Sequence, residues 1–159
     1  MSKDIYSVLE GLDIVYEKYE HPAVFTVEEA EKHARGEGIH SKNLFLRNKK
    51  GNKHYLVVIR ASKQINIKDL ETKLQEKNLS FASPERMMKY LGLIPGSVSP
   101  FGLINDVNKE VQVVVDEGLL KSEKQAFHPN VNTATLAIST ADFKKFLQWT
   151  GNDITYMDF

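Results

Sequence analysis

A run of small residues, GSVSPFG, occupies positions 96–102 between two apolar flanks. It holds two glycines, a proline and two serines, more than a simple turn of the chain requires. Because small side chains cover little of the backbone, such a loop exposes N–H groups that can bind an anion or an oxyanion, or let a ligand approach closely. A surface linker is the alternative, and composition alone favours it.

A lysine, two histidines and two serines are the other residues that could do chemistry. Lys42 immediately precedes the apolar pattern NLFLRN, so we expect its ammonium at the edge of a sheet, where a solvated strand-end lysine is the simpler interpretation. His21 and His128 each precede a proline, which holds the residue before it extended and fixes where the imidazole points. Taken singly, each is more typical of a loop. Ser97 and Ser99 lack a nearby base that would make either a nucleophile.

The sequence predicts neither a metal site nor a cofactor. It contains no cysteine, and its five histidines show no HxH, HxxxH or HExxH spacing. The GxSxG elbow, the GxxxxGK[ST] phosphate loop and the GxGxxG pattern are all absent from the sequence. We expect His33 on a charged helix face and His54 at the start of a strand, both solvated.

The composition is that of an ordinary globular chain. Its 159 residues are 42% hydrophobic and 26% charged, which suits one well-buried core and predicts one domain over residues 1–159. The 21 basic and 21 acidic side chains cancel, so any contact with nucleic acid must be local rather than driven by bulk charge. The N-terminal stretch has no apolar leader pattern and no segment is long enough to span a bilayer, so we expect a cytoplasmic protein without a membrane partner.

Local patterns predict alternating helices and strands in the first half of the chain. The expected elements are a helix from a Ser2 cap to Glu10, a strand in IVYEKYEH, a helix opening at Thr26 with Glu29 completing a capping box and Gly36 near its end, a hairpin of NLFLRN and HYLVVIR around Gly51, and a helix in NIKDLETKLQEKN.

The second half continues this alternation. The expected elements are a helix capped by Ser83 with Pro84 at its first position and Gly92 at its end, a strand in VQVVVD, an irregular stretch EGLLKSEKQAFHPNVNT, a strand in ATLAIS, a helix from a Thr140 cap to about Trp149, and a closing strand in DITYMDF. Six or so strands with interspersed helices predict an α+β fold with a mixed sheet.

Four motifs in order give the separate signals more weight. HPAVFTVEEA, KNLFLRN, GSVSPFGLIND and FHPNVNTATLAIS, at these distances, resemble the YbaK/ProX family, the freestanding relatives of the editing domain inserted in bacterial prolyl-tRNA synthetases. The resemblance covers essentially the whole chain and is strongest for the ProX (PrdX-like) branch. It implies the fold of that family: a single α+β domain with a mixed, barrel-like β-sheet surrounded by helices.

The resemblance also implies roles for individual residues. Lys42 aligns with the family's essential lysine, which holds the phosphate of the terminal adenosine, and the loop from Gly96 through Ser97 to Pro100 supplies backbone donors at the ester that is cut. His128 is implied to shape the aminoacyl pocket. The implied pocket-lining residues are Phe25, Thr26, Asn43, Ser99 and Pro100. The implied tRNA contacts are Arg47, Lys49 and Lys50. For these three basic residues, the tip of a solvated hairpin is the alternative interpretation.

The implied activity is hydrolysis of alanine mischarged onto proline tRNA. A water attacks the aminoacyl ester, assisted by the terminal 2′-hydroxyl of the tRNA, without a metal or cofactor. The implied partner is the acceptor end of mischarged proline tRNA, with prolyl-tRNA synthetase as a second candidate. Two alternatives remain open from the sequence: a cysteine-specific deacylase of the YbaK type, and a non-catalytic module that binds aminoacyl-tRNA or a free amino acid.

Overall fold

A computed structural model of the protein describes residues 4–20, 39–131 and 133–159. The predicted helix that opens at Thr26 lies outside these residues. Within them, no helix has the length and apolar character needed to cross a membrane.

Helices in the described residues begin and end largely where capping residues predict. Their bounds are Ile5–Gly11 (α1), Ile67–Leu74 (α2), Pro84–Leu91 (α3) and Thr140–Thr150 (α4), with 3-10 helices at Pro100–Asn105 (η1) and Glu117–Lys121 (η2). The prediction for α3 is confirmed: the Ser83 side chain accepts from the Arg86 N–H, Pro84 starts the helix, and Gly92 ends it in the left-handed conformation.

Eight strands of the described residues form the sheet. Their bounds are Glu17–Glu20 (β1), Ile39–Arg47 (β2), His54–Arg60 (β3), Ser80–Phe81 (β4), Val111–Asp116 (β5), Lys124–Phe127 (β6), Ala134–Ser139 (β7) and Ile154–Met157 (β8). The order is β1-β7-β6-β2-β3-β5-β8, with β4 beside β2. β3, β5 and β8 are parallel to one another, while β2–β3 and β6–β7 are antiparallel. The predicted α+β fold with a mixed sheet is confirmed, and the described strand order runs from β1 to β8 without closing.

β2 changes its partner along its length. Its first residues, Ile39 and His40, pair in parallel with Gln125 and Ala126 of β6. From Ser41 onward it pairs antiparallel with β3. β2 therefore belongs to both halves of the sheet, and within the described ranges its pairing with β6 covers these two positions.

Two apolar clusters cover the faces of the sheet. The larger one unites α1, α3, η1 and α4 with the inward side chains of the strands, among them Phe45, Val58 and Phe127. The smaller one packs Leu70 of α2 onto the other face of β2, β3 and β5. Because side chains alternate along a strand, adjacent residues of β2 such as Leu46 and Phe45 belong to different clusters.

Several predicted boundaries differ from the structure. The cap of α1 is Asp4, whose carboxylate accepts from the Tyr6 N–H, rather than Ser2, which lies outside the described residues. The cap of α4 is Ser139 rather than Thr140, because the Ser139 hydroxyl accepts from the Asp142 N–H. The stretch predicted to be irregular contains η2 and the short strand β6, where Gln125 is fully buried and donates to the Leu119 carbonyl.

Candidate functional site

The small-residue loop begins with a tight turn. The Ser97 N–H donates to the Ile94 carbonyl at 3.1 Å, which closes a four-residue turn with Pro95 and Gly96 at its centre. Gly96 has φ +93°, and a turn with proline at its second position and a positive φ at its third is the type II arrangement. A glycine is therefore needed at position 96 for the geometry of the turn itself.

The two serines of this loop hold its shape. Ser97 is 1% exposed, and its hydroxyl donates to the Ile94 carbonyl at 2.9 Å. The fully buried Ser99 is the cap of η1, because its hydroxyl accepts from the Phe101 N–H. Pro100 is buried as the first residue of η1. Neither hydroxyl hydrogen-bonds to a basic side chain in the described part of the chain, so their contacts are structural.

The backbone of this loop keeps unused donors. Among the described residues, the N–H groups of Gly96, Val98 and Ser99 have no hydrogen-bond acceptor. Gly96 and Val98 are half-buried, so their amides lie at the boundary between the core and the solvent. An unpaired N–H group in such a place is costly unless it meets water or a ligand. The loop therefore offers adjacent donors of the kind that bind an oxyanion.

The segment after β6 packs against the loop. The Asn130 side-chain amide donates to the Phe101 carbonyl at 3.4 Å, and the rings of Phe101 and Phe127 meet edge to face at 5.7 Å. Nδ1 of half-buried His128 lies 2.9 Å from the Ala134 carbonyl. A carbonyl oxygen only accepts, so Nδ1 carries the hydrogen of this contact.

Asn130 is a site residue that the sequence analysis missed. Its backbone is left-handed, with φ +65°, and its side-chain Oδ1 is buried without a hydrogen-bond partner in the described ranges. Asparagine tolerates this backbone conformation better than other residues that have a side chain. The signal was present in HPNV, where an asparagine follows proline, a combination typical of turns.

Lys42 lies on a different side of β2 from the loop. Its side chain is on the same face of the strand as those of Leu44 and Leu46, which pack in the smaller cluster, and its Nζ donates to the Lys63 carbonyl at 2.5 Å. Asn43 is on the same face as Phe45 of the larger cluster and accepts from the Ser41 hydroxyl at 3.4 Å. Lys42 makes no hydrogen bond to the loop within the described residues.

The change of strand partner nevertheless sets Lys42 and His128 at one end of the sheet. The parallel pairing of β2 and β6 ends at His40 and Ala126. Lys42 and His128 each follow two residues later, where the strands separate. We call the separation of β2 and β6 beyond this pairing the crevice. Lys42 and His128 therefore flank this separation, and the loop contacts the β6 side of it through Phe101, which meets Phe127 and Asn130.

The basic hairpin lies at the other end of β2. Arg47 is bound to its own turn, because its guanidinium donates to the carbonyls of Asn48 and Lys49. Lys49 and Lys50 are exposed. Five residues of extended strand, about 17 Å, separate Arg47 from Lys42. A tRNA contact at the hairpin would therefore be remote from the crevice.

The prediction that His54 is solvated is wrong. The side chain is 2% exposed, and its ring lies 4.0 Å from the Tyr90 ring and stacks on Phe45. Arg86 of α3 donates to its Nε2 at 3.1 Å. Burial, followed by the positive charges of Arg86 and nearby basic residues, lowers the pKa of His54 to about 4. The sequence pattern missed this because α3 follows the hairpin by some thirty residues.

Three predicted residues cannot be placed. His21, Phe25 and Thr26 lie outside the described residues, so their proximity to the crevice stays a prediction. Across residues 4–20, 39–131 and 133–159, no three His, Asp or Glu side chains gather in a group that could hold a metal ion.

Comparison with known proteins identifies the family. The model of the aminoacyl-tRNA editing domain matches residues 21–146. The prolyl-tRNA editing protein ProX of Acetoanaerobium sticklandii is 44% identical over 149 residues, covering 93% of this chain and 91% of that protein. Prolyl-tRNA synthetase associated domain-containing protein 1 of Bos taurus is 40% identical over 156 residues, covering 95% and 91%.

A solved structure shares the fold. The crystal structure of a candidate trans-editing enzyme for prolyl tRNA synthetase superimposes with a TM-score of 0.70 at 20% identity, covering 100% of this chain and 99% of the other. At this identity the likeness concerns the fold alone. Because the family model and the relatives match most of its sequence, the chain belongs to the aminoacyl-tRNA editing domain family.

Proposed function

We propose that the protein hydrolyses alanine from mischarged proline tRNA and spares the correctly charged form. The general activity, hydrolysis of an aminoacyl-tRNA ester, is that of an editing enzyme of this family. The choice of alanine, the catalytic loop and the residue roles are the proposed part. The observation that carries it is the set of unused N–H donors at Gly96, Val98 and Ser99 among the described residues.

The loop suits the chemistry of ester hydrolysis. A water attacks the ester carbonyl carbon, the carbonyl oxygen becomes an oxyanion, and the bond to the ribose oxygen breaks to give free alanine and the terminal hydroxyl. Backbone donors that already point at the oxyanion stabilise this transition state, and losing one such donor typically costs a hundredfold to a thousandfold in rate, on the order of 3 to 4 kcal/mol. Gly96, at φ +93°, has no side chain that could cover its own N–H group.

Lys42 is the proposed phosphate ligand. An ammonium has three N–H donors, and the Lys63 carbonyl takes one of them. The other two remain for a phosphate oxygen at the crevice. The hydrogen bond to Lys63 also holds the long side chain in one direction, which lowers the entropy lost when the phosphate binds.

A proline-specific synthetase makes errors that a second enzyme, with a pocket that selects by size, must correct. A synthetase pocket built for proline cannot strongly reject the smaller alanine, since missing methylene groups change binding by only about 1–3 kcal/mol. A pocket that admits alanine but excludes proline removes the error afterwards. His128, held by Ala134, is the proposed wall of this pocket.

Deacylation assays with four substrates test the proposal. Purified protein is mixed with proline tRNA charged with alanine, cysteine, serine or proline, and release of the amino acid is followed with and without EDTA. We expect fast release of alanine, little release of proline, and no effect of the chelator. A preference for cysteine would assign the YbaK-type activity instead. Binding without release from any substrate would identify a non-catalytic module and overturn the proposal.

A further inference from the structure

Arg60 is held at the end of β3 by a buried carboxylate. Its Nε lies 2.8 Å from Oδ2 of Asp116, and its backbone N–H donates to the same oxygen at 3.1 Å. The other oxygen of Asp116 accepts from the Gly118 N–H. The Asp116 side chain is fully buried, whereas the Arg60 side chain is 25% exposed. The pair therefore anchors the inner part of the guanidinium and leaves its outer part near solvent.

Gly118 leaves room for the guanidinium of Arg60. A Cβ at position 118 would lie 2.3 Å from Cζ of Arg60, so only glycine leaves room for the planar group. Both terminal nitrogens, Nη1 and Nη2, lack a hydrogen-bond acceptor among the described residues. A guanidinium fixed at Nε with its outer N–H groups unused has the geometry that binds two oxygens of a phosphate.

Arg60 and Lys42 both contact the turn that follows β3. Arg60 pairs directly with Ser41, the residue before Lys42. The Lys63 N–H donates to the Arg60 carbonyl, which closes the turn whose last carbonyl holds Lys42. Arg60 and Lys63 therefore begin and end one turn, and Lys42 binds its last carbonyl. Asp116 is the carboxylate that pairs with Arg60 among the described residues.

We propose that Arg60 is a second phosphate-binding residue, which contacts the RNA backbone next to the phosphate held by Lys42. This inference rests on the proposed function for the identity of the ligand. Lys42 supplies a point charge and Arg60 a planar fork, so together they bind two positions of the single-stranded RNA end and fix its direction into the crevice. Binding by two local cations agrees with a chain whose net charge is zero.

The salt dependence of RNA binding tests this role. The probe is a minihelix of proline tRNA that carries no amino acid and keeps its single-stranded 3′ end. It is titrated with the intact protein over a range of salt concentrations. We expect Arg60→Gln to bind roughly tenfold more weakly at low salt. The slope of log affinity against log salt should fall in magnitude by about 0.7, the value for one contact to single-stranded nucleic acid. Lys144→Gln, which removes an exposed charge on α4, should leave the slope unchanged.

Arg60→Lys separates phosphate binding from a purely structural ion pair. It keeps the charge, so it should retain the wild-type slope while binding more weakly than wild type. If both Arg60 variants bind like the wild type, or if Lys144→Gln lowers the slope as much as Arg60→Gln, the proposal is wrong. Because the probe carries no amino acid, this result is independent of deacylation. A protein that binds through Arg60 but releases no alanine would refute only the proposed function.

Discussion

The ammonium of Lys42 donates a hydrogen bond to the backbone carbonyl of Lys63, 2.5 Å away and twenty-one positions along the chain. A strand-end lysine that merely meets solvent has no such partner. The contact joins β2 to the turn after β3 and directs the side chain along the edge of the sheet. Lys42 is half-buried as a result, and its replacement has consequences for both activity and stability.

Lys42→Ala should reduce deacylation of alanine-charged proline tRNA by orders of magnitude, because the phosphate loses its ligand. The lost hydrogen bond should cost only about 1 kcal/mol of stability. Lys42→Arg should recover part of the activity, since it keeps the charge with a different shape. Initial rates and thermal melts check both, with the exposed Lys144→Ala as the matched control. Wild-type rates in Lys42→Ala would make this residue a structural one.

Gly96→Val should abolish activity and also destabilise the protein. A side chain at φ +93° strains the turn by on the order of 1–3 kcal/mol, and a β-branched one also crowds the unused N–H groups. Activity must therefore be compared well below the melting temperature of the variant. Gly92→Ala, which strains the left-handed cap of α3 at φ +66°, controls for destabilisation alone. Equal activity losses in the two variants at matched stability would argue against a role for the loop donors.

Ser97→Ala should retain activity within a few-fold of wild type. The hydroxyl is buried and donates to the Ile94 carbonyl, so it stabilises the turn rather than attacking the substrate. Its loss should cost about 1 kcal/mol of unfolding free energy. Single-turnover deacylation measures this directly. Complete inactivity of a variant with a normal melting curve would instead mean that Ser97 is a nucleophile.

The buried His54 should make stability fall in mildly acidic solution. Its folded-state pKa of about 4 lies below the ordinary 6.5, so the unfolded chain takes up the proton first. Stability is therefore lost as the pH falls from about 6.5 to about 4, by up to about 3 kcal/mol. His54→Phe keeps the stacking on Tyr90 and should remove this part of the pH dependence. Denaturant unfolding at several pH values measures it, and identical profiles for both proteins would contradict the assignment.

Asp116 should change the stability of the protein at lower pH than His54 does. Burial raises the pKa of its carboxyl, but the hydrogen bonds from Arg60 and Gly118 outweigh burial and lower the pKa below the ordinary 3.8. This stabilisation is present above the ordinary pKa and is lost as the pH falls through the lowered value. The His54 and Asp116 effects are therefore separable, since the first is nearly complete before the second begins.

Elements with strong local signals were predictable from the sequence. The helix from Ser83 to Gly92 has a cap, a proline and a terminal glycine, and the hairpin around Gly51 has two clear strands. β6 was missed because four residues are too few to show a period, and its pairing with β2 is distant in sequence. Ser139 and Thr140 are both good caps, and only the geometry decides between them.

The site was predictable in its motifs but less so in its contacts. The loop at 96–102 and FHPN are both motifs of the family pattern, and they meet where the Asn130 amide donates to the Phe101 carbonyl. The Lys63 carbonyl, the Asp116 carboxylate behind Arg60 and the burial of Asn130 Oδ1 come from parts of the chain that no local pattern connects. Such contacts depend on tertiary packing, which single-sequence patterns do not contain.

The divided pairing of β2 bears on the order in which the protein folds. Its hairpin with β3 joins neighbouring residues and can form within microseconds, whereas its pairing with β6 joins residue 39 to residue 125 and must first close a long loop. We therefore expect the crevice to be absent from early folding intermediates. Pulse-labelling hydrogen exchange should protect Leu44 and Val57 before Gln125. A nascent chain would then acquire editing activity only after β6 has left the ribosome.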